Sequence, residues 1–93
     1  EAYILIGDAY AASASSCGSG ELGRAGVYLV AVDKYAKAKS VDPSAAKNAQ
    51  AKINKYSAYF PNKEDAFFKG INAGASYRVG CWIGETTTVR FGG

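Results

Sequence analysis

The sequence contains no histidine and no methionine, and only one tryptophan, two prolines and two cysteines. The missing histidine excludes every mechanism that needs an imidazole: serine and cysteine triads, histidine-ligated zinc, and acid–base chemistry through a ring nitrogen. Without methionine, and with Glu1 opening the chain, the polypeptide is read as a processed chain or an excised domain. Its start shows no basic stretch followed by an apolar one, so no leader is expected there. No apolar run approaches the roughly 20 residues that span a bilayer, and no transmembrane segment is expected. Cys17 and Cys81 belong to no C-x-x-C pair, which excludes a zinc ribbon or a thioredoxin-like redox motif. They are read as a disulfide tying a long loop to the C-terminal segment, which implies an oxidising compartment such as the periplasm. Two unrelated buried thiols are the alternative.

What is present describes one ordinary globular domain of 93 residues, 48% hydrophobic and 20% charged. The net charge of +3 is uneven. Residues 1–33 carry Glu1, Asp8, Glu21 and Asp33 against Arg24, giving −3. Residues 34–69 carry eight lysines against Asp42, Glu64 and Asp65, giving +5, and residues 70–93 carry Arg78 and Arg90 against Glu85, giving +1. The lysine-rich middle is read as a solvated helical face. It holds no arginine, the residue suited to planar phosphate and base contacts, so nucleic acid is not an expected partner.

Periodicity predicts a mostly α-helical chain. Tyr3, Ile6 and Tyr10 recur at helical spacing over residues 2–12, with Gly7 inside the pattern. A glycine costs about 1 kcal/mol against alanine in a helix interior, so its presence points to a close helix–helix approach. Residues 13–20 are rich in serine and glycine and are read as a loop. A second helix is predicted from Glu21 to Ser40, with Tyr28, Ala31, Val32, Tyr35 and Ala38 as its apolar stripe. Asp42-Pro43 is a helix start, and a third helix follows from about Ser44 to Tyr59, facing inward with Ala45, Ala49, Ile53, Tyr56 and Phe60. Asn62 caps a short fourth helix whose first turn carries Glu64 and Asp65 and which ends at Gly70. The period then changes. Tyr77, Val79, Cys81 and Ile83 alternate with Arg78, Gly80 and Trp82, and Thr86 to Phe91 are β-branched and aromatic. Residues 75–92 are read as a β-hairpin turning at Gly84-Glu85.

The spacing Tyr3-x-x-Ile6-Gly7-x-x-Tyr10 followed by Ala31-x-x-x-Tyr35-x-x-Ala38-x-x-x-x-Pro43 resembles a tetratricopeptide repeat (TPR). In such a pair, small residues let two antiparallel helices approach and aromatics fill the holes between them. The chain departs from the repeat in having Tyr3 at the tryptophan position and about a dozen extra residues between Tyr10 and Ala31. The resemblance implies one repeat with a long inter-helix insertion over 1–43, capping helices over 44–70 and the hairpin beyond. The capped helices and cysteine-bearing hairpin are similar to the C-terminal portion of TPR proteins exported to the cell envelope of Gram-negative bacteria. That implies a non-enzymatic scaffold, in the periplasm or envelope, that binds a protein, a peptide or its own copy. A structural end-cap of a longer solenoid is the alternative, and a small enzyme or nucleic-acid binder is a third.

The residues offered as an interaction surface are Tyr28, Tyr56, Trp82 and Phe91. Trp82 is expected to pack on the third or fourth helix if it is not an interface anchor. Catalytic constellations are poor: Glu64-Asp65 read as capping acids, and Asp8 and Asp33 sit on paired helices with nothing to place a cleft between them. Gly18-Ser19-Gly20 lacks the spacing of a phosphate loop. No catalytic residue, metal site or cofactor is expected.

Overall fold

A computed structural model describes residues 2–17 and 22–91. Gly18-Ser19-Gly20, Glu21 at the expected start of the second helix, Glu1 and Gly92 at the expected end of the hairpin lie outside the described residues, as does the Asp65 side chain. The chain is mostly helical with a C-terminal antiparallel hairpin: α1 (Ala2–Ala12), α2 (Ala14–Cys17), α3 (Arg24–Val41), a 3-10 turn (Pro43–Ala45), α4 (Ala46–Ser57), α5 (Lys63–Phe68), β1 (Ser76–Val79) and β2 (Glu85–Thr88).

Helix α3 is the centre. Gly26, Val27, Leu29, Val30, Ala31, Val32, Tyr35 and Ala38 are all buried. Six of these fall between residues 26 and 32, so over that stretch they cover every side of the helix, and a segment apolar all round is a covered one; further on, Ala36, Lys37, Lys39 and Ser40 leave one face exposed. Helices α1 and α2 lie antiparallel along it, Gly7 meeting Tyr35 while Cys17 sits near Val27. Helix α4 returns antiparallel on the neighbouring side, where Tyr28 stacks on Tyr56 and Lys39 Nζ donates to the Gln50 side chain. The hairpin covers what remains. Its Val79 and Ile83 join the main core, and Val89 forms a second cluster with Leu22 and Leu29. The sequence stripe on α3 is therefore half of what is buried: Leu29 goes inside against Val89 of the C-terminal segment, and Val27 lies between Cys17 and the first strand, partners that a helix-on-helix stripe does not foresee.

The second helix starts at Arg24 and not near Glu21: Leu22 and Gly23 form a turn, with Gly23 at φ 57° and no side-chain cap. Elsewhere capping follows the sequence. The Asp42 carboxylate accepts from the Ser44 backbone N–H at 3.1 Å, and Asn62 Oδ1 accepts from the Glu64 N–H at 2.8 Å. Gly70, at φ 73°, ends α5, after which the Ile71 N–H returns to the Ala66 carbonyl at 2.8 Å.

Three further expectations need correction. Residues 14–17 form a helical turn and not a loop: the Cys17 N–H donates to the Ser13 carbonyl at 2.8 Å. The apolar period of α1 carries on through the serines as Ile4, Gly7, Tyr10, Ala14 and Cys17, all buried, and that burial outweighs serine's preference for turns. The inner face of α1 runs through Ile4 and not Ile6. Ile6 is 37% exposed and Ile4 3%, because Ile6 lies about 100° round the helix from Gly7. The hairpin turns at residues 80–84, pairing Val79 with Glu85, and not at Gly84-Glu85. Cys81 and Ile83 imitate strand alternation, but Cys81 has a φ of 59° and the Gly84 N–H closes the connection on the Gly80 carbonyl at 3.2 Å. The disulfide and the burial of Ile83 draw this loop onto the helices.

Candidate functional site

A disulfide joins Cys17 to Cys81 with Cα atoms 5.5 Å apart, closing a sequence separation of 64. Cys17 is buried at the end of α2 and Cys81 is exposed on the hairpin loop. The neighbouring Trp82 packs on α1, and not on the third or fourth helix as its sequence context suggested. Its ring lies 5.2 Å from that of Tyr10, and its indole N–H donates to Ser13 Oγ at 3.2 Å. The helical turn that carries Cys17 thus also positions the seat of Trp82. Phe91 is half-buried against the Leu22–Leu29–Val89 cluster.

At Gly7, α1 and α3 approach too closely for a side chain. A Cβ there would stand 2.6 Å from Cε1 of Tyr35, so no side chain fits without displacing a ring that is itself fixed. Tyr35 is fully buried. Its hydroxyl donates to Asp8 Oδ1 at 2.6 Å, and its ring stacks on Tyr56 at 5.9 Å and 9°. Tyr3 and Tyr10 flank the contact, and Ala31 and Ala38 supply the small residues beneath it, both at 0% exposure; Pro43 opens the turn that follows α3.

From Tyr35 the aromatic rings continue outward. Tyr56 stacks on Tyr28 at 5.4 Å, and Tyr28 on Tyr59 at 5.0 Å. The row begins in the core and ends at Tyr59, 53% exposed. Lys52 and Lys55 lie over the rings of Tyr35 and Tyr56 at 5.8 and 5.2 Å. Of the proposed surface residues, Tyr28 and Tyr56 are thus brought together between α3 and α4, whereas Trp82 sits on α1 beside the disulfide.

Sequence reasoning missed a second close approach and three ionic clamps. A Cβ on Gly26 would stand 2.6 Å from Cε2 of Tyr77, whose hydroxyl oxygen accepts from the Leu22 N–H at 3.2 Å. A glycine inside the α3 pattern, like Gly7 in α1, was the available signal. In each clamp a carboxylate takes one hydroxyl and one cation from other elements. Asp8 takes Tyr35 and Lys52, the latter at 3.0 Å. Glu85 takes Tyr10 and Lys34, the latter at 2.9 Å. Asp33 takes Thr87 and Arg90, the latter at 2.7 Å. Asp8 and Asp33 therefore serve different clamps and do not share a cleft. Arg90 also donates to the Leu29 carbonyl at 3.2 Å and lies over the Phe60 ring.

Burial pushes the Asp8 carboxyl up, but the hydroxyl of Tyr35 and the ammonium of Lys52 outweigh it and hold the group below its ordinary value of 3.8. Glu85 is held below 4.5 in the same way, burial being outweighed by Tyr10 and Lys34. Burial, then the bond to Glu85, then its charge push Tyr10 up to about 12. Tyr35 rises further, through burial and Asp8. The carboxylates titrate lower folded than unfolded, so their contribution is complete above the ordinary values and is lost as pH falls through the folded ones. The tyrosines titrate higher folded, so theirs is complete below the ordinary 10.0 and is lost as pH rises through the folded values. Thermal melts are expected to show a plateau from about pH 5 to about pH 10, with a fall on either side. The double variant Tyr10→Phe, Tyr35→Phe is expected to flatten both flanks. Identical pH profiles for variant and parent would show that these pairs do not couple to folding.

Among the described residues, no three cysteine, aspartate or glutamate side chains gather closely enough to hold a metal ion, and no helix is long and apolar enough to cross a membrane. Comparison with protein-family models, with curated proteins and with solved structures finds no match for this chain.

Proposed function

We propose that this chain is a TPR-type interaction module: an antiparallel helix pair, extended by a third helix and capped by a hairpin, that binds a protein or peptide partner without turnover. The approach of Gly7 to the Tyr35 ring carries the reading. The motif spacing needs a small residue on one helix facing an aromatic on the other, and the two stand in that relation here. The stacked tyrosines between α3 and α4 supply the surface, since rings with one buried edge and one wet edge are suited to recognition. The disulfide supports an oxidising location such as the bacterial periplasm or cell envelope, where such bonds persist.

A second reading, the end-cap of a longer solenoid, is favoured by the outer face of α1. Ala2, Leu5, Ile6, Ala9 and Ala12 are exposed, with Leu5 at 67%. Asp8 is the only charged residue between 2 and 17, and it is engaged by Tyr35 and Lys52. A preceding helix pair would cover this face.

One experiment separates the two. Peptides selected from a display library against the disulfide-bonded chain are titrated into isotope-labelled protein, and the shifted backbone resonances are mapped. The interaction reading expects shifts at Tyr28, Tyr56 and Tyr59, with affinity reduced at least tenfold in Tyr59→Ala. Shifts centred on Leu5, Ile6 and Ala9 would favour the end-cap. A selection that yields no peptide sensitive to either face would remove the interaction reading.

A further inference from the structure

Phe67 and Phe68 are the most exposed large apolar side chains among the described residues, at 77% and 85%. They end α5, and with Lys63 and Glu64 they line one open hollow. Phe67 also borders a second hollow with Ile71 and Phe91, so the apolar surface continues toward the chain's C-terminal end. Single exposed apolar residues are normal, but adjacent phenylalanines are not. Taking about 200 Å² for a phenylalanine side chain, the pair presents roughly 300 Å², the size of the largest apolar patch on a typical monomer. The rings meet edge to face at 6.2 Å. Neither belongs to an apolar cluster of the core. Ala66, 1% exposed on the same turn, is the residue that seats α5.

The charges at the rim decide what fits this face. Lys63 and Glu64 are adjacent and opposite in sign, and neither forms an ion pair with another described residue. An anionic surface, whether lipid or acidic protein, would be attracted by one and repelled by the other. A second copy related by a two-fold axis sets Lys63 against Glu64 twice while the phenylalanines of the two copies interleave. We propose that Phe67 and Phe68, rimmed by Lys63 and Glu64, form an isologous contact between two copies of this chain. The paired apolar faces bury about 600 Å², below the roughly 1,200 Å² of strong complexes, so the dimer is weak and concentration-dependent. This goes beyond the helix-pair reading and does not rest on it.

The test is sedimentation velocity on the disulfide-bonded chain from about 10 μM to about 1 mM, where exchange between monomer and dimer is expected to appear. The double variant Phe67→Ser, Phe68→Ser should weaken association at least tenfold with an unchanged melting temperature, since both residues are exposed. Lys63→Glu and Glu64→Lys should each weaken it several-fold, because both facing pairs become like-charged. An equimolar mixture of the two charge variants should restore it, an all-acidic rim then facing an all-basic one. A chain monomeric at about 1 mM overturns the proposal. So does a dimer indifferent to the double serine variant, or one lost instead in Leu5→Lys, Ile6→Lys. Failure of the mixture to recover overturns the two-fold arrangement. Flotation of a monomeric chain with anionic phosphatidylglycerol vesicles, lost in the double serine variant, would assign the face to a lipid surface and overturn the proposal as well.

Discussion

Cys81→Ser should lower the stability of the chain by about 4 kcal/mol, the chain-entropy value for releasing a loop of this length. For a domain of this size, that lowers the melting temperature by roughly 15–30 °C. Cys81 is the informative partner because it is exposed, so its replacement leaves core packing untouched, whereas a serine at buried Cys17 would add the cost of burying a hydroxyl. The backbone supplies a control. Cys81 is the only non-glycine residue with positive φ among the described residues, at 59°, a conformation that costs an ordinary residue about 1–2 kcal/mol. Cys81→Gly should therefore remain about 1 kcal/mol more stable than Cys81→Ser, although both lack the bond. Trp82 is the sole tryptophan and sits beside the bridge on Tyr10, so its fluorescence should shift to the red on reduction. Thermal melts with and without reductant that coincide would show that the bond contributes nothing to holding the hairpin.

Gly7→Leu should cost about 3 kcal/mol by overpacking, because its Cβ alone would already stand 2.6 Å from Cε1 of Tyr35, well inside van der Waals contact. Tyr35 has no room to yield: it is fully buried, hydrogen-bonded to Asp8 and stacked on Tyr56. Gly7→Ala is the sharper probe, since two opposed effects meet there. Alanine gains about 1 kcal/mol of helix propensity over glycine, and the clash costs more, so a net loss of about 1–2 kcal/mol is expected. Tyr35→Leu removes the opposing ring atoms. In that background Gly7→Ala should become neutral or stabilising, a coupling of about 2 kcal/mol in a double-mutant cycle. A higher melting temperature for Gly7→Ala in the parent chain would refute the close approach, and with it the structural basis for the TPR-type reading.

Much of the helical framework was legible because it rests on local chemistry. Gly7, the tyrosine and alanine positions of α3, Asp42-Pro43, Asn62 and Gly70 each carry a reason that acts within a few residues: a small side chain at a crossing, a carboxylate or amide at a helix start, a glycine at an end. The candidate site was legible in part. Tyr28 and Tyr35 lie on the stripe of one helix and Tyr56 on that of the next, and both meet Tyr56 as two facing stripes should, whereas the seat of Trp82 on Tyr10 joins residues 72 positions apart.

The sequence by itself determined a mostly helical chain with a C-terminal hairpin, because the period of its apolar residues changes from helical to alternating near residue 76. It also marked the caps at Asp42 and Asn62, the helix end at Gly70 and the glycine of the α1–α3 contact. Tertiary structure alone decided that residues 13–17 carry on the helical course of α1, that the hairpin turns at residues 80–84, and that the N-terminal half of α3 is covered on every side. It alone matched Asp8 to Tyr35, Glu85 to Tyr10 and Asp33 to Arg90. Local propensity has no knowledge of what lies across the core. Burying Cys17, Ile83 and Leu29 together outweighs the turn preference of a serine or the alternation of a strand, and that free energy exists only once distant segments meet.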